Sequence, residues 1–367
     1  MFFITLELLL VIAFLLKNKM VQVLALGASL SYDACLVANA DARHNPDYLL
    51  YQTSYDSQWT NFEIGYTYLA KIFNQLGFSY VEFRTALSIF IFMILFISIV
   101  LLSKNPAVIG VAFNITLFLI GSIQIRNMAM LSIVLLGYAI AMKFSNSKIK
   151  YVGLFVVSLG MLIHSLGWLF FCALLLFFVL KSTHMRQRTF KLIASVTLFL
   201  ALITTVSSPK WLSSLFSAFL EITKVRSIAN VNIVSVYSNA PNHFGLFLFA
   251  VVIIILVLVA YHQVYKKYNV IIGEPEGAIM FGLVLLFVST LLFQLSVDYV
   301  RLVGNIWMLE VVILGNVRTN KILNRMELLF KVVLGSVAVF TILMYTYPPA
   351  YDVLGYTIGL YENDLMQ

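Results

Sequence analysis

The sequence predicts an all-α polytopic membrane protein of about 12 transmembrane helices (11–13), and three observations carry that prediction. Hydrophobic residues make up 61% of the 367 and charged residues only 11%, more apolar surface than a soluble chain of this size can hide. The apolar residues run in unbroken blocks of roughly 16 to 21, the length that crosses a bilayer core, not in the alternation of a membrane β-barrel. The basic residues sit at the ends of those blocks, where topology signals stand. A net charge of +8 would otherwise suggest nucleic acid; this distribution excludes it as a partner. Residues 1–367 read as a single integral membrane domain.

Taken in order, helices are expected at 2–16, 20–38, 85–103, 106–123, 128–142, 151–163, 166–180, 191–206, 244–264, 278–296, 300–316 and 329–347. No basic region or small-residue cleavage site marks the first block as a cleaved signal peptide, so it is expected to be retained. The stretch 151–180 is too long for one ordinary span, and His164-Ser165 and Gly167 interrupt it. It reads as two short helices meeting near one face, with one long tilted helix as the alternative. Cys35 and Cys172 lie in apolar surroundings and read as small packed residues.

With the turn at Lys17-Asn18-Lys19 placed on the cytoplasmic side, strict alternation puts Lys104, Lys143, Lys148, Lys150, Lys181, Arg186, Arg188, Lys191, Lys266, Lys267, Arg318, Lys321, Arg325 and Lys331 there as well. The outside receives Arg43, Lys71, Arg84, Arg126, Lys210, Lys224, Arg226 and Arg301. This asymmetry fits the excess of positive charge expected on the cytoplasmic side. Two long extracytoplasmic loops follow, 39–84 and 207–243, and function tends to live on the elaborated face.

The first loop holds Tyr48, Tyr51, Tyr55, Tyr66, Tyr68 and Trp59, together with Asp47, Asp56 and Glu63. Within it, 61–75 has an amphipathic spacing: Phe62, Tyr66, Leu69 and Phe73 recur every three or four residues. Such rings suit the membrane–water boundary and equally the apolar faces of sugars. In the second loop, Trp211, Leu215 and Phe219 share one helical face and predict an interfacial helix. Beyond it, Tyr237 and His243 are free to face water.

Arg84, Arg126 and Arg301 stand at helix ends on the outer side, and Arg226 lies in the second loop. A guanidinium offers a fixed fork of donors that matches phosphate oxygens, so these four are candidate anion ligands; helix-end anchoring is the alternative. His164, amid apolar residues, is a candidate base or phosphate contact. Glu310 is mid-helix and expected to pair internally, and Glu7 is intramembrane without an assignable partner. No P-loop, dinucleotide-binding glycine pattern, acidic metal motif of nucleotide-sugar enzymes, or zinc-type His/Cys spacing occurs, so neither cofactor nor metal is expected.

Four segments appear in order: DYLLYQTSYDSQWTNFEIGYTYLAKIFNQLGFSY, IQIRNMAMLSI, IHSLGW and VRLVGNIW. Together they resemble the EpsG/Wzy-type polymerases of bacterial O-antigen, capsule and exopolysaccharide: a tyrosine-rich segment before FE-x-GY, an arginine turn, an FH-type element and a late arginine. Asn127-Met128 and Ile163 depart from the family pattern, and Val300-Arg301 lacks the Asn usual before Arg. The resemblance implies a GT-C-like fold and an O-antigen, capsule or lipopolysaccharide glycosyltransferase in the inner membrane, its site facing the periplasm. It implies transfer of a growing glycan from undecaprenyl pyrophosphate to the non-reducing end of a lipid-linked repeat unit, independent of metal and nucleotide. It also implies a chain-length regulator and a flippase as partners.

On that reading, Arg126 and Arg301 grip the pyrophosphate with help from Arg226 and Arg84. His164 is a third contact or the base, and Glu63 and Asp47 are competing bases. Tyr48, Tyr51, Tyr55, Tyr66 and Tyr237 hold the glycan. The rival readings are an O-antigen ligase or another lipid-linked glycosyltransferase, and a repeat-unit flippase; the lack of a visible internal repeat argues against the flippase.

Overall fold

The computed structural model describes residues 2–40, 42–43, 45–58, 62–144, 147–180, 301–316 and 322–346, with isolated positions between 188 and 199. Every regular element among them is a helix. In chain order they are α1 (Phe2–Leu15), α2 (Lys19–Ala38), α3 (Tyr48–Asp56), α4 (Ile64–Gln75), α5 (Tyr80–Leu102), α6 (Pro106–Ile123), α7 (Ile125–Lys143), α8 (Lys150–Ile163), α9 (Gly167–Val179), α10 (Arg301–Gly315) and α11 (Ile322–Thr346). Within the described residues a helix stands at each expected position. Those at 191–206, 244–264 and 278–296, and the loop 207–243 with Arg226 and Tyr237, lie outside the described residues.

Five helices, α2, α5, α6, α7 and the 322–344 part of α11, are long and apolar enough to cross a membrane. Their outward faces are apolar: Ile89, Phe90 and Met93 on α5 and Phe330 and Leu334 on α11 are exposed, the pattern of a surface solvated by lipid. These features point to a membrane protein.

Local chemistry sets the helix ends. The Asn18 side chain accepts from the Met20 and Val21 amides and starts α2. Ser79 and Glu82 form a reciprocal capping box at the start of α5. Pro106 sits in the first turn of α6. At the end of α4, Gly77 takes φ +84, the left-handed conformation that glycine adopts without cost. The Phe78 amide then donates back to Phe73 and the Gly77 amide to Asn74, which closes α4 and turns the chain into α5.

The ends alternate between two faces of the bundle. At one face, Asn105 Nδ2 donates to Gly315 O at 2.9 Å, and the Arg325 guanidinium donates to Phe14 O and to Asn105 Oδ1. The starts of α6 and α11 therefore meet the ends of α1 and α10. At the other face, Asn45 Nδ2 and Arg84 Nη2 both donate to Ser122 O at the end of α6 (2.9 and 3.1 Å). This second face carries the first loop, the α6–α7 turn, the α8–α9 turn and the start of α10.

The stretch 151–180 is two helices, not one. α8 has 14 residues and α9 has 13, each about 20 Å long against a bilayer core of about 30 Å. Small residues let them pack closely: a Cβ on Gly153 would lie 2.5 Å from Gly137 O on α7, and one on Gly167 would lie 2.6 Å from Gly160 C on α8. Gly160 lies against Met130 and Val134 of α7, so the turn at His164 comes level with the start of α7.

Two acids within the helices, half-buried Glu7 and buried Glu310, behave differently. Glu7 accepts from Asn114 Nδ2, which also donates to Ser29 Oγ at 2.9 Å, tying α1, α6 and α2 together. Glu310, expected to pair internally, is buried on α10, and its Oε1 has no hydrogen-bond partner among the described residues.

Candidate functional site

Arg126 is the second residue of α7, two residues after the non-helical Gln124. It is 8% exposed, so its charge needs a partner. The partner is Glu63: Arg126 Nη1 donates to Glu63 Oε2. Arg126 Nε donates to the Tyr51 hydroxyl at 3.4 Å. The guanidinium carbon lies 3.9 Å from the centre of the Phe62 ring, with the Tyr51 and Tyr66 rings at 5.5 and 5.7 Å, a cation held over aromatic faces. Nη2 makes no hydrogen bond among the described residues.

Glu63 does double duty. Its Oε1 accepts the Ser165 N–H at 2.9 Å, so one carboxylate joins the first loop to the start of α7 and to the α8–α9 turn. A Cβ on Gly65 would lie 2.7 Å from Leu162 Cβ and 2.8 Å from Leu162 O; only glycine lets α4 come this close to the end of α8. Burial acts to raise the Glu63 carboxyl, but neighbouring His164 and Arg126 and the Ser165 N–H outweigh it and pull it from 4.5 down to about 2. Glu63 is therefore a carboxylate throughout the neutral range.

His164 is buried at the end of α8 with extended backbone. Its Nδ1 accepts the Leu166 N–H at 3.2 Å. In a neutral ring that places the proton on Nε2, leaving Nε2 a donor.

Asn127, one residue beyond Arg126, pairs with Asn305 on α10. Arg301 begins that same helix, one turn before Asn305. The segments FE-x-GY, IQIRN, IHSLGW and RLVGN thus meet at one end of the bundle.

The other candidates are placed as follows. Arg84 is 1% exposed and its donors go to Val37 O, Ser122 O and the Tyr80 hydroxyl; it clasps the ends of α2, α5 and α6. Asp47 stands immediately before α3, and its carbonyl accepts the Tyr51 N–H. Tyr48, Tyr51, Tyr55 and Tyr66 are each at most 9% exposed and pack on one another and on Phe62, Tyr80 and Phe83. The Tyr55 hydroxyl donates to Phe78 O at 2.8 Å. Burial, the main cause, holds the Tyr66 phenol well above its ordinary value. The cleft between α3 and α4, lined by Tyr51, Tyr55, Phe62 and Tyr66, holds about 70 Å³, room for a few waters.

Two contributors have no individual signal in the sequence, the Ser165 amide and the Asn127–Asn305 pair, and Phe62 beneath the guanidinium is legible there only as part of an amphipathic spacing. Their proximity to FE, IQIR and IHS was the available hint. The model of the EpsG family matches residues 34–358, a span that contains every residue of this constellation. No curated protein and no solved structure matches the chain.

Proposed function

The chain belongs to the EpsG family, and on that premise we propose that it is a polysaccharide polymerase acting on lipid-linked glycans at the outer face of the cytoplasmic membrane. The donor is a growing glycan on undecaprenyl pyrophosphate, and the acceptor is the non-reducing end of a lipid-linked repeat unit. The anomeric carbon–oxygen bond to pyrophosphate breaks, a glycosidic bond to the acceptor hydroxyl forms, and the hydroxyl proton passes to a base. The donor carries its own activation, so the reaction requires neither nucleotide nor metal.

The observation that carries this reading is Arg126: a nearly buried guanidinium, oriented by Glu63 and Tyr51, that keeps Nη2 for a ligand. A preorganised cation of this kind stabilises charge growing on a leaving pyrophosphate. Arg301 is the second grip, with Arg226 a further candidate. His164 Nε2–H suits a third phosphate contact better than a base. Glu63 suits orienting Arg126 better than taking a proton, because a carboxyl at about 2 is a weak base. That leaves Asp47, one helical turn from Tyr51, as the candidate base. A flippase and a chain-length regulator are its expected partners.

The test is the surface polysaccharide ladder of a deletion strain, complemented with wild type, Arg126→Lys, His164→Ala or Arg301→Ala at matched membrane abundance. Deletion should collapse the ladder to a single-repeat band, and the variants should fail to restore it. A ladder that survives deletion would sink the polymerase reading. Loss of even the single repeat on lipid A would indicate a ligase.

A further inference from the structure

Asn127 and Asn305 exchange two hydrogen bonds. Asn305 Nδ2 donates to Asn127 Oδ1 at 2.9 Å, and Asn127 Nδ2 donates to Asn305 Oδ1 at 3.3 Å. The two residues are 178 positions apart, and at 2% and 0% exposure neither amide can turn to water. An amide in apolar surroundings is costly unless bonded. A reciprocal pair also closes in only one placement of the two helices, because each amide must present its donor to the other's acceptor.

That placement is not set by broad packing. α10 packs chiefly on α6 and α11, and α7 chiefly on α5 and α8. On α10, Gly304 lies against Leu117 of α6, and Trp307 Nε1 donates to Ser336 Oγ of α11 at 3.1 Å. Among the described residues the amide pair ties α7 to α10. Both partners neighbour an arginine in the chain: Asn127 follows Arg126 directly, and Asn305 stands one helical turn after Arg301, the first residue of α10. Both helices begin at the same face of the bundle.

We infer that the Asn127–Asn305 pair is a positioning device: it registers α10 against α7 so that Arg301 and Arg126 serve one pyrophosphate. This rests on the function proposed above. Asn127, a departure from the family's arginine-turn pattern, thereby acquires a role through a partner in the fourth segment.

The test measures binding of farnesyl pyrophosphate, as a prenyl pyrophosphate probe, to the purified full-length protein in nanodiscs, alongside its melting temperature. The informative variant is Asn127→Leu with Asn305→Leu, which removes both amides and leaves neither buried and unbonded. It should melt like wild type yet bind the probe about tenfold more weakly, the equivalent of one misplaced charged contact. Adding Arg301→Ala to that background should cost nothing further, whereas alone it should cost about as much, because groups acting as a unit are non-additive. Wild-type affinity in the leucine pair, or full additivity with Arg301→Ala, would overturn the inference. Should the leucine pair melt early, Asn127→Val with Asn305→Val, smaller and equally free of amides, is judged by the same criteria. If Arg126→Ala and Arg301→Ala both bind the probe like wild type, the pyrophosphate grip itself falls, a separate failure from that of the amide pair.

Discussion

Glu63 and Ser165 stand 102 residues apart, and the Glu63 carboxylate accepts the Ser165 amide at 2.9 Å while its other oxygen holds Arg126. Removing the charge should therefore affect two places at once. Glu63→Gln leaves Arg126 as a buried cation without a counter-charge, and breaking such a pair costs about 3 kcal/mol. The expected outcome is a clear drop in melting temperature together with loss of long polymer. Glu63→Asp keeps the charge and should recover more stability than activity, because the shorter side chain cannot reach both partners. A Glu63→Gln protein with wild-type stability would show that the pair contributes nothing.

The pH dependence follows from the same carboxylate. Its folded value is depressed from 4.5 to about 2, so the unfolded chain takes up the proton first as pH falls. The stabilisation is then fully present above about pH 4.5 and lost as pH falls through about 2. The difference in stability between wild type and Glu63→Gln should stay constant from pH 8 to about 5 and shrink below that. A difference that changed between pH 6 and 8 would mean that another group governs the pair.

Much of the bundle was legible because spans leave long apolar blocks that need no partner to be recognised. The break at His164 was legible for a related reason: a charge-free stretch of that length is too long for one ordinary span, and His164-Ser165 and Gly167 marked where it turns, with one long tilted helix as the alternative. α3 was not anticipated as a helix, because its nine residues carry tyrosines in a loop-like context and their packing onto Tyr80 and Phe83 is tertiary. The site was legible only in pieces. Arg126 and Glu63 each looked notable, but an arginine grip and a competing base gave no sign that the two were partners. Arg84 and Arg126 looked alike, both near helix starts on one face; only burial and the identity of their acceptors separate them.

That separation can be measured. Arg84 spends its donors on two backbone carbonyls and a hydroxyl, so Arg84→Lys cannot keep three bonds in different directions. It should lower stability by about 2 kcal/mol, seen as reduced membrane abundance with polymer falling in proportion. Arg126→Lys keeps a charge for Glu63 and should leave abundance near wild type while polymer is lost. Polymer per molecule is the deciding readout. An equal loss for both variants would place Arg84 among the residues that act on substrate.

Gly65 tests whether the contact between α4 and α8 positions the site. A Cβ there would meet Leu162 Cβ at 2.7 Å and the Leu162 carbonyl oxygen at 2.8 Å, and a backbone atom cannot swing aside. Gly65→Ala must therefore push α4 away from the end of α8, at a cost of about 2 kcal/mol. The displacement acts two residues from Glu63 and should lengthen its reach to Ser165 before it disturbs the pair with Arg126, since Tyr51 and Phe62 still hold the guanidinium. The expected result is a protein that folds with a modestly lower melting temperature yet makes short polymer. Gly77→Ala is the control: its φ of +84 also favours glycine, but nothing lies within 4 Å of an added Cβ. It should lower the melting temperature by a similar amount and leave polymer length unchanged. Equal polymer lengths in the two variants would mean that the close approach at Gly65 serves packing alone.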